Sequence, residues 1–588
     1  MKTRRHAFTV FALLAAVTVF AGLPEGYWEP EQAREILDVT LRIRLDPDLG
    51  HLSAAERQAL PELLAAGRTL NDLYEEQKHP DAHAARRALF ALEDPDADVL
   101  RDLYYLSKGP IATTLDNTRE AFLPVDMPGH GGNVYPRGLQ RGEIDAFLAS
   151  YPEAEGITAD RTVVRRGTKE NIAADLARLD EYPGVAAMHA SLRARLMNIA
   201  VDETKFYAVP YALAYAPQLT EVRRHLETAA DILATDSPDF ADYLRLRSRD
   251  LLTSDYEAGD AAWVSGSFNN LNAQIGSYET YDDGLLGVKA FFSASILARD
   301  VDKSRALEKA VAGLQTIEDA LPYESQRTVR ANIPVGAYNV IADFGQARGA
   351  NTATILPNDA DHTRKYGRTI LVRYNILANP DIFANRKIGF AAVVAPRHAD
   401  DLTLDGGFER TLWHEIGHYL GVARTAEGES LDAALGAYSD LIEEMKSDLV
   451  SLFAARRLYE TGYHDEGSLR AHYADGIRRT LQSVKPRPEQ PYQNMQLMQF
   501  NFFMEAGLIE LEPESGMLLI NYDRYDETVT ELLALVLQQQ RVGDEAASGD
   551  FVKRWNYWDD RLHGRLAGLI RDGLDYRRTL VRYAALED

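Results

Sequence analysis

The segment His414-Glu415-Ile-Gly-His418 constrains this chain more than any other, because it commits one stretch to helix and one face of that helix to a second element. Positions i and i+4 return to nearly the same helical face, so the two imidazoles look outward side by side. The surrounding Thr411 to Leu420 otherwise reads as helix, with only Gly417 lowering the local propensity. A chain of this size and composition shows the pattern by chance about 2% of the time, so a further feature has to support it. Glu443-Glu444-Met-Lys-Ser-Asp448 supplies one, since Glu444 and Asp448 share a helical face by the same rule. The plainer reading of these acids is a solvated face.

The chain contains no cysteine, which removes disulfides, thiolate metal sites and a Cys nucleophile, so any metal ligands must be His, Asp or Glu. His414, His418 and Glu444 make a His₂Glu set of the catalytic zinc type, one zinc per chain, with a position left for water. Asp448 can accept the second N–H of a ligating histidine. Zinc in such a site lowers the pKa of its water and polarises a carbonyl, and Glu415 is placed to take the proton and pass it to a leaving amine. The reaction implied is amide hydrolysis. Other signals are weak: Pro80 and nearby charges make His79 and His83 an exposed loop or helix start, and Asp94 to Asp98 lacks the glycine and glutamate of a calcium loop. Neither G-x-S-x-G nor G-x-x-x-x-G-K occurs.

With 588 residues the chain exceeds one ordinary core, and a two-lobed molecule with a cleft is expected. Lys2, Arg4 and Arg5 precede the uncharged run Ala7 to Ala21, which reads as a signal peptide cut after Ala21, hence an exported, periplasmic or secreted protein. An uncleaved anchor and a twin-arginine signal are the alternatives. The formal charge of −25 argues against nucleic-acid partners and, beyond the leader, against a membrane. Helical periodicity marks Pro61 to Tyr74, Asn171 to Leu179 and Val185 to Leu196. Strands are expected at Phe206 to Tyr215, Ala337 to Phe344, Thr369 to Ile376 and Ile388 to Val394, and helix again from Phe408 onward.

Three further segments, with the metal motifs, resemble the dipeptidyl peptidase III family of zinc metallopeptidases over about residues 200 to 510. They are Asn272-Ala-Gln-Ile-Gly-Ser-Tyr-Glu279-Thr-Tyr281-Asp-Asp-Gly, Gly349-Ala-Asn351, and Leu356-Pro-Asn358-Asp359. The resemblance implies an α+β protein of two lobes separated by a wide cleft, one mainly helical and zinc-bearing, the other with a small β-barrel plus helices. It divides the chain into a leader (1–21), the lower lobe (22–298 and a strand-rich 336–385) and the upper helical lobe (299–335 and a zinc-binding 386–588). Short peptides are the implied substrates, Glu279 holding the N-terminal amine while Tyr281, Asn351 and Asn358 bind backbone or polarise the scissile carbonyl. Capping or turn roles are the plain alternative for each.

Two departures from the family stand out. Most members have one more residue between the histidines. Tyr492, Gln496 and Asn501 stand where the family places a histidine and arginines; Tyr492 can still donate to an oxyanion, but a partner for a substrate carboxylate is missing. The expected function is therefore hydrolysis of short peptides from the amino end. The alternatives are a zinc-stabilised peptide binder and a hydrolase of a non-peptide amide.

Overall fold

The computed structural model describes residues 22–587, apart from 153, 155, 325, 330–333, 348–351, 357–361, 363, 364 and 489. The leader, Asn351 and Asn358 thus lie outside the described residues. The N-terminal half is organised around helix α1 (Ala54–Lys78), which buries Ala59, Leu63, Leu70, Leu73 and Tyr74 along one stripe. It begins well before Pro61, where sequence reading started it. Ser53 Oγ accepts the Glu56 N–H at 3.0 Å and Glu56 returns the bond to the Ser53 N–H at 2.8 Å, a capping box that sets the start and leaves Pro61 inside the helix. Helix α2 (Ala216–Leu233) packs on α1, and α3 (Pro238–Thr253) on α2.

The strands form one five-stranded sheet from β1 (Leu271–Ser277), β2 (Phe292–Asp300), β3 (Val335–Gly345), β4 (Ala353–Leu356) and β5 (Thr369–Arg373), in the order β1-β2-β3-β5-β4. Pairing is antiparallel except between β3 and β5, where Ala337 faces Val372. β1 and β4 are the sheet's two edges, so the expected barrel is, among the described residues, an open sheet. β1 and most of β2 are buried on both faces, with α1 against β2 and β3, which explains why they lack the alternation that reveals a half-exposed strand.

Two expected strands are shorter than their apolar runs: the first ends at Pro210, and β5 ends at Arg373 before a turn of helix. Ile388 to Val394 is not a strand. Asn379 accepts the Asp381 and Ile382 N–H groups at 3.0 and 3.1 Å and starts a helix over Pro380–Ala391 that takes in Ile388, while Val393 and Val394 follow its end and Val394 forms an isolated parallel bridge with Leu518. The expected helix Val185 to Leu196 is two short ones, Pro183–Met188 and Leu192–Asn198.

The C-terminal half is helical: α4 (Leu404–Gly417), α5 (Ser439–Glu460), α6 (Glu466–Thr480), α7 (Pro491–Glu505) and α8 (Tyr525–Val542). α5 is central, with α4, α6, α7 and α8 packed around it. Two large apolar cores result. The first draws on residues from Leu41 to Ile382 and on Val581 and Tyr583; the second runs from Leu307 to Ile570 and takes Leu314 and Ile317 from between β2 and β3. The strand Thr40–Leu45 pairs in parallel with Arg578–Tyr583, which returns the chain's end to the first core. Among the described residues no helix is long and apolar enough to cross a membrane.

Candidate metal centre

The centre exists because α4 and α5 cross at very short range. Thr403 caps α4 by accepting the Gly406 N–H at 3.0 Å, and the helix ends at Gly417, with His418 as its C-cap in right-handed conformation. Lys446 of α5 reaches back to donate to the carbonyls of Gly417 and Leu420 at 2.7 and 3.0 Å, satisfying the helix end. A Cβ on Gly417 would sit 2.7 Å from the Ser447 carbonyl oxygen and 2.9 Å from its Cα. The residue that weakened the helical reading is thus the one that lets the helices touch. Gly417→Ala should destabilise the protein by about 1–3 kcal/mol despite better helix propensity, because backbone must move. Thermal unfolding measures this, and an unchanged or higher Tm would show that the crossing relaxes freely.

At the crossing, one donor atom from each of His414, His418 and Glu444 lies within 4.8 Å of the others. The Nε2 atoms of His414 and His418 stand 3.2 and 3.9 Å from the same oxygen, Glu444 Oε2. That oxygen is buried without a hydrogen-bond partner, while Oε1 accepts the Tyr492 hydroxyl at 2.8 Å. Both outer ring nitrogens are occupied: His414 Nδ1 meets Asp448 Oδ1 at 2.6 Å, and His418 Nδ1 meets Glu443 Oε1 at 2.8 Å and Ser447 Oγ at 2.9 Å. This fixes the tautomer that leaves Nε2 directed inward. The donor set and its partnerless carboxylate oxygen fit a zinc ion.

Charge around the centre is arranged in layers. Burial disfavours the charged form of His414, but Asp448 and Glu444 outweigh it and hold the imidazole up at about 9. Burial likewise raises Asp448, yet His414, Arg479 and Arg410 hold its carboxyl well below the usual range. For Glu443, Lys446 and His418 do the same against burial. Arg410 links Asp448, at 3.1 Å, to Asp475, at 2.8 Å, so the support of His414 continues into α6. Asp448→Asn should lower zinc affinity about 10- to 100-fold, since the orienting carboxylate is lost while all three ligands stay. Competition against a chromophoric chelator reads this directly; equal affinity would remove Asp448 from the site.

Glu415 lies on α4 beside His414 and is 9% exposed. Residues far apart in sequence meet at the centre: Tyr492 on α7, bonded to Glu444, has its ring 6.4 Å from that of Tyr281, and the Tyr281 phenol interacts in turn with Glu279. The structure therefore brings together Glu279, Tyr281, Tyr492 and the metal set. Gln496 and Asn501 do not join them: Gln496 accepts from Gln482 at 3.0 Å, and Asn501, 1% exposed, donates to the Trp555 and Tyr557 carbonyls at 2.7 and 3.0 Å. Glu443, which supports His418 from behind, has no role in the sequence pattern taken alone. Its i, i+4 relation to Ser447, parallel to that of Glu444 and Asp448, was the available signal.

A second group of suitable donors, Asp72, Glu75 and His83, is already neutralised, because Arg86 pairs with Asp72 at 2.8 Å and with Glu75 at 3.0 Å. His79 and His83 each bind a backbone carbonyl oxygen at 2.8 Å rather than one another.

No family model matches the chain. A search of curated proteins returns "Nudix hydrolase 3" of Arabidopsis thaliana, 23% identical over 547 residues, which is 86% of this chain and 68% of that protein. Among solved structures, dipeptidyl peptidase III from Caldithrix abyssi superposes with a TM-score of 0.77 at 22% identity, covering 93% of this chain and 98% of its own. The dipeptidyl-peptidase III from Corallococcus sp. strain EGB gives 0.79 at 24% identity, covering 95% and 98%. The chain has the fold of these dipeptidyl peptidase III structures.

Proposed function

We propose that the protein is a zinc metallopeptidase of the dipeptidyl peptidase III family, an exported enzyme of two lobes that hydrolyses short peptides from their amino end. One observation carries the reading: two imidazoles aim their Nε2 atoms at one partnerless oxygen of Glu444, with both Nδ1 atoms held from behind. The fold shared with the Caldithrix and Corallococcus structures supports a peptidase. The name of the Arabidopsis relative points elsewhere, but that match leaves part of the longer protein uncovered, and the centre is built for hydrolysis at a carbonyl.

His414, His418 and Glu444 would hold the ion, and zinc bound there lowers the pKa of water and polarises the scissile carbonyl. Glu415 accepts the proton of the attacking water and delivers it to the departing amine. The Tyr492 hydroxyl, which donates to Glu444 in this structure, is the donor available to the developing oxyanion. Glu279 pairs with the substrate's ammonium, Tyr281 orients the chain beside it, and Asn351 and Asn358 hold peptide backbone.

The competing reading, a zinc-stabilised peptide binder with little turnover, is favoured by one observation: Gln496 and Asn501 spend their amides inside the protein, so α7 offers no charge there to a peptide's carboxylate. Mass spectrometry of a peptide-library digest, with and without chelator, separates the two. Chelator-sensitive products trimmed from the amino end support the peptidase, whereas saturable binding with no product supports the binder.

A further inference from the structure

A cavity of about 410 Å³ lies where the two apolar cores meet, lined by Ile382 of the first and by Phe390 and Ile570 of the second. Four arginines, Arg386, Arg478, Arg577 and Arg578, are among its lining residues, and no Asp or Glu is. That is unexpected in a chain of net charge −25, where most arginines find a carboxylate. Two of these cations have weak compensation. Arg386, on the helix Pro380–Ala391, has no carboxylate within ion-pair distance among the described residues. Asp475, whose charge reaches it, is taken by Arg410 at 2.8 Å and Arg478 at 2.5 Å. Arg578 donates through Nη2 to the Thr114 carbonyl, but its Nε is buried without a partner. Burial together with the neighbouring arginines pushes Arg386 down to about 9, the response of a guanidinium that lacks a counter-charge.

None of the residues proposed to bind zinc or peptide lines this cavity. Through Arg478, Asp475, Arg410 and Asp448 it connects to the Nδ1 side of His414, whereas the peptide-facing Tyr492 meets Glu444 on the Nε2 side. We propose that this cavity is a second binding site, for a carboxylate carried on an apolar body, with Arg386 as its main charge partner and the Ile382, Phe390 and Ile570 surface taking the apolar part. A guanidinium can grip both oxygens of a carboxylate at once, and the volume is that of a small-molecule site. Two sources share this chemistry: a free organic acid, or the C-terminal residue of a bound peptide.

Titration of the full-length protein with 3-phenylpropionate, beside its neutral amide, tests the site without relying on turnover, so the result stands apart from the peptidase reading. The acid should bind saturably, the amide at least tenfold more weakly, and Arg386→Ala should lose at least tenfold in affinity, while Arg386→Lys, which keeps the charge but not the two-pronged grip, should lose less. Gly389 also lines the cavity, and its Cβ would meet only side-chain atoms, of Leu574 at 3.1 Å and Ile570 at 3.7 Å. Gly389→Leu therefore fills the space without touching a charge and should abolish binding. The second variant decides the matter if Arg386→Ala fails to fold. Equal binding of acid and amide, binding that survives Gly389→Leu, or no saturable binding would overturn the proposal. Free-acid and amidated forms of one peptide then separate the sources. A KM advantage of the free acid that disappears in Arg386→Ala assigns the cavity to the peptide terminus, and identical KM values assign it to a free acid.

Discussion

Glu415→Gln is expected to retain zinc at about one per chain and to lose turnover by about 10³- to 10⁴-fold, roughly 4–5 kcal/mol on the barrier. The amide matches the carboxylate in shape and stays on α4 beside His414, so neither the helix crossing nor the ligand set is disturbed. What disappears is the ability to accept a proton from water. Metal analysis together with kcat on a cleaved library peptide gives both numbers from one preparation. Activity within tenfold of the parent at full zinc content would sink the assignment of Glu415 as base, and loss of zinc would mean that the residue supports the ligands instead.

The candidate metal set is legible in the sequence because helical spacing is local: His414 with His418, and Glu444 with Asp448, are fixed on their faces before any tertiary structure is known. That the two pairs face one another is a tertiary fact, and its enabling residue, Gly417, looked like a defect when read locally. Strands β1 and β2 are hidden for a related reason, since burial on both faces erases their alternation, while the run Ile388 to Val394 is divided between the end of a helix started by Asn379 and a single bridge at Val394. Pro61 suggests a later start for α1, since proline favours the first helical turn, whereas the capping box at Ser53 and Glu56 sets the real one. The resemblance located Glu279, Tyr281 and Tyr492, and their meeting beside Glu444 depends on contacts across more than one segment that no local pattern encodes. The basic cavity has no sequence signature at all, since Arg386, Arg478 and Arg578 come from three separate segments.

Glu444→Ala should separate metal binding from folding more sharply than any other substitution. Zinc affinity is expected to fall by about 10³-fold or more, some 4 kcal/mol, because two imidazoles remain where the site needs three protein ligands. The metal-free protein should behave differently. There, Glu444 Oε2 is a buried oxygen facing the Nε2 atoms of His414 and His418 at 3.2 and 3.9 Å. Deleting it removes a desolvated charge, but it takes a bond from the Tyr492 hydroxyl and an ion-pair partner at 3.2 Å from His414. The metal-free Tm should therefore fall modestly, because the relieved burial of the carboxylate offsets only part of what these two partners lose. A ligand present at a thousand times its Kd stabilises the native state by about 4 kcal/mol, so the parent should melt well above its chelator-treated form and the variant should not. Thermal unfolding of both proteins, with and without excess zinc, gives the four values needed. If the variant keeps a zinc-dependent rise in Tm, the ion is held elsewhere, and the crossing of α4 and α5 is a structural junction rather than a metal centre.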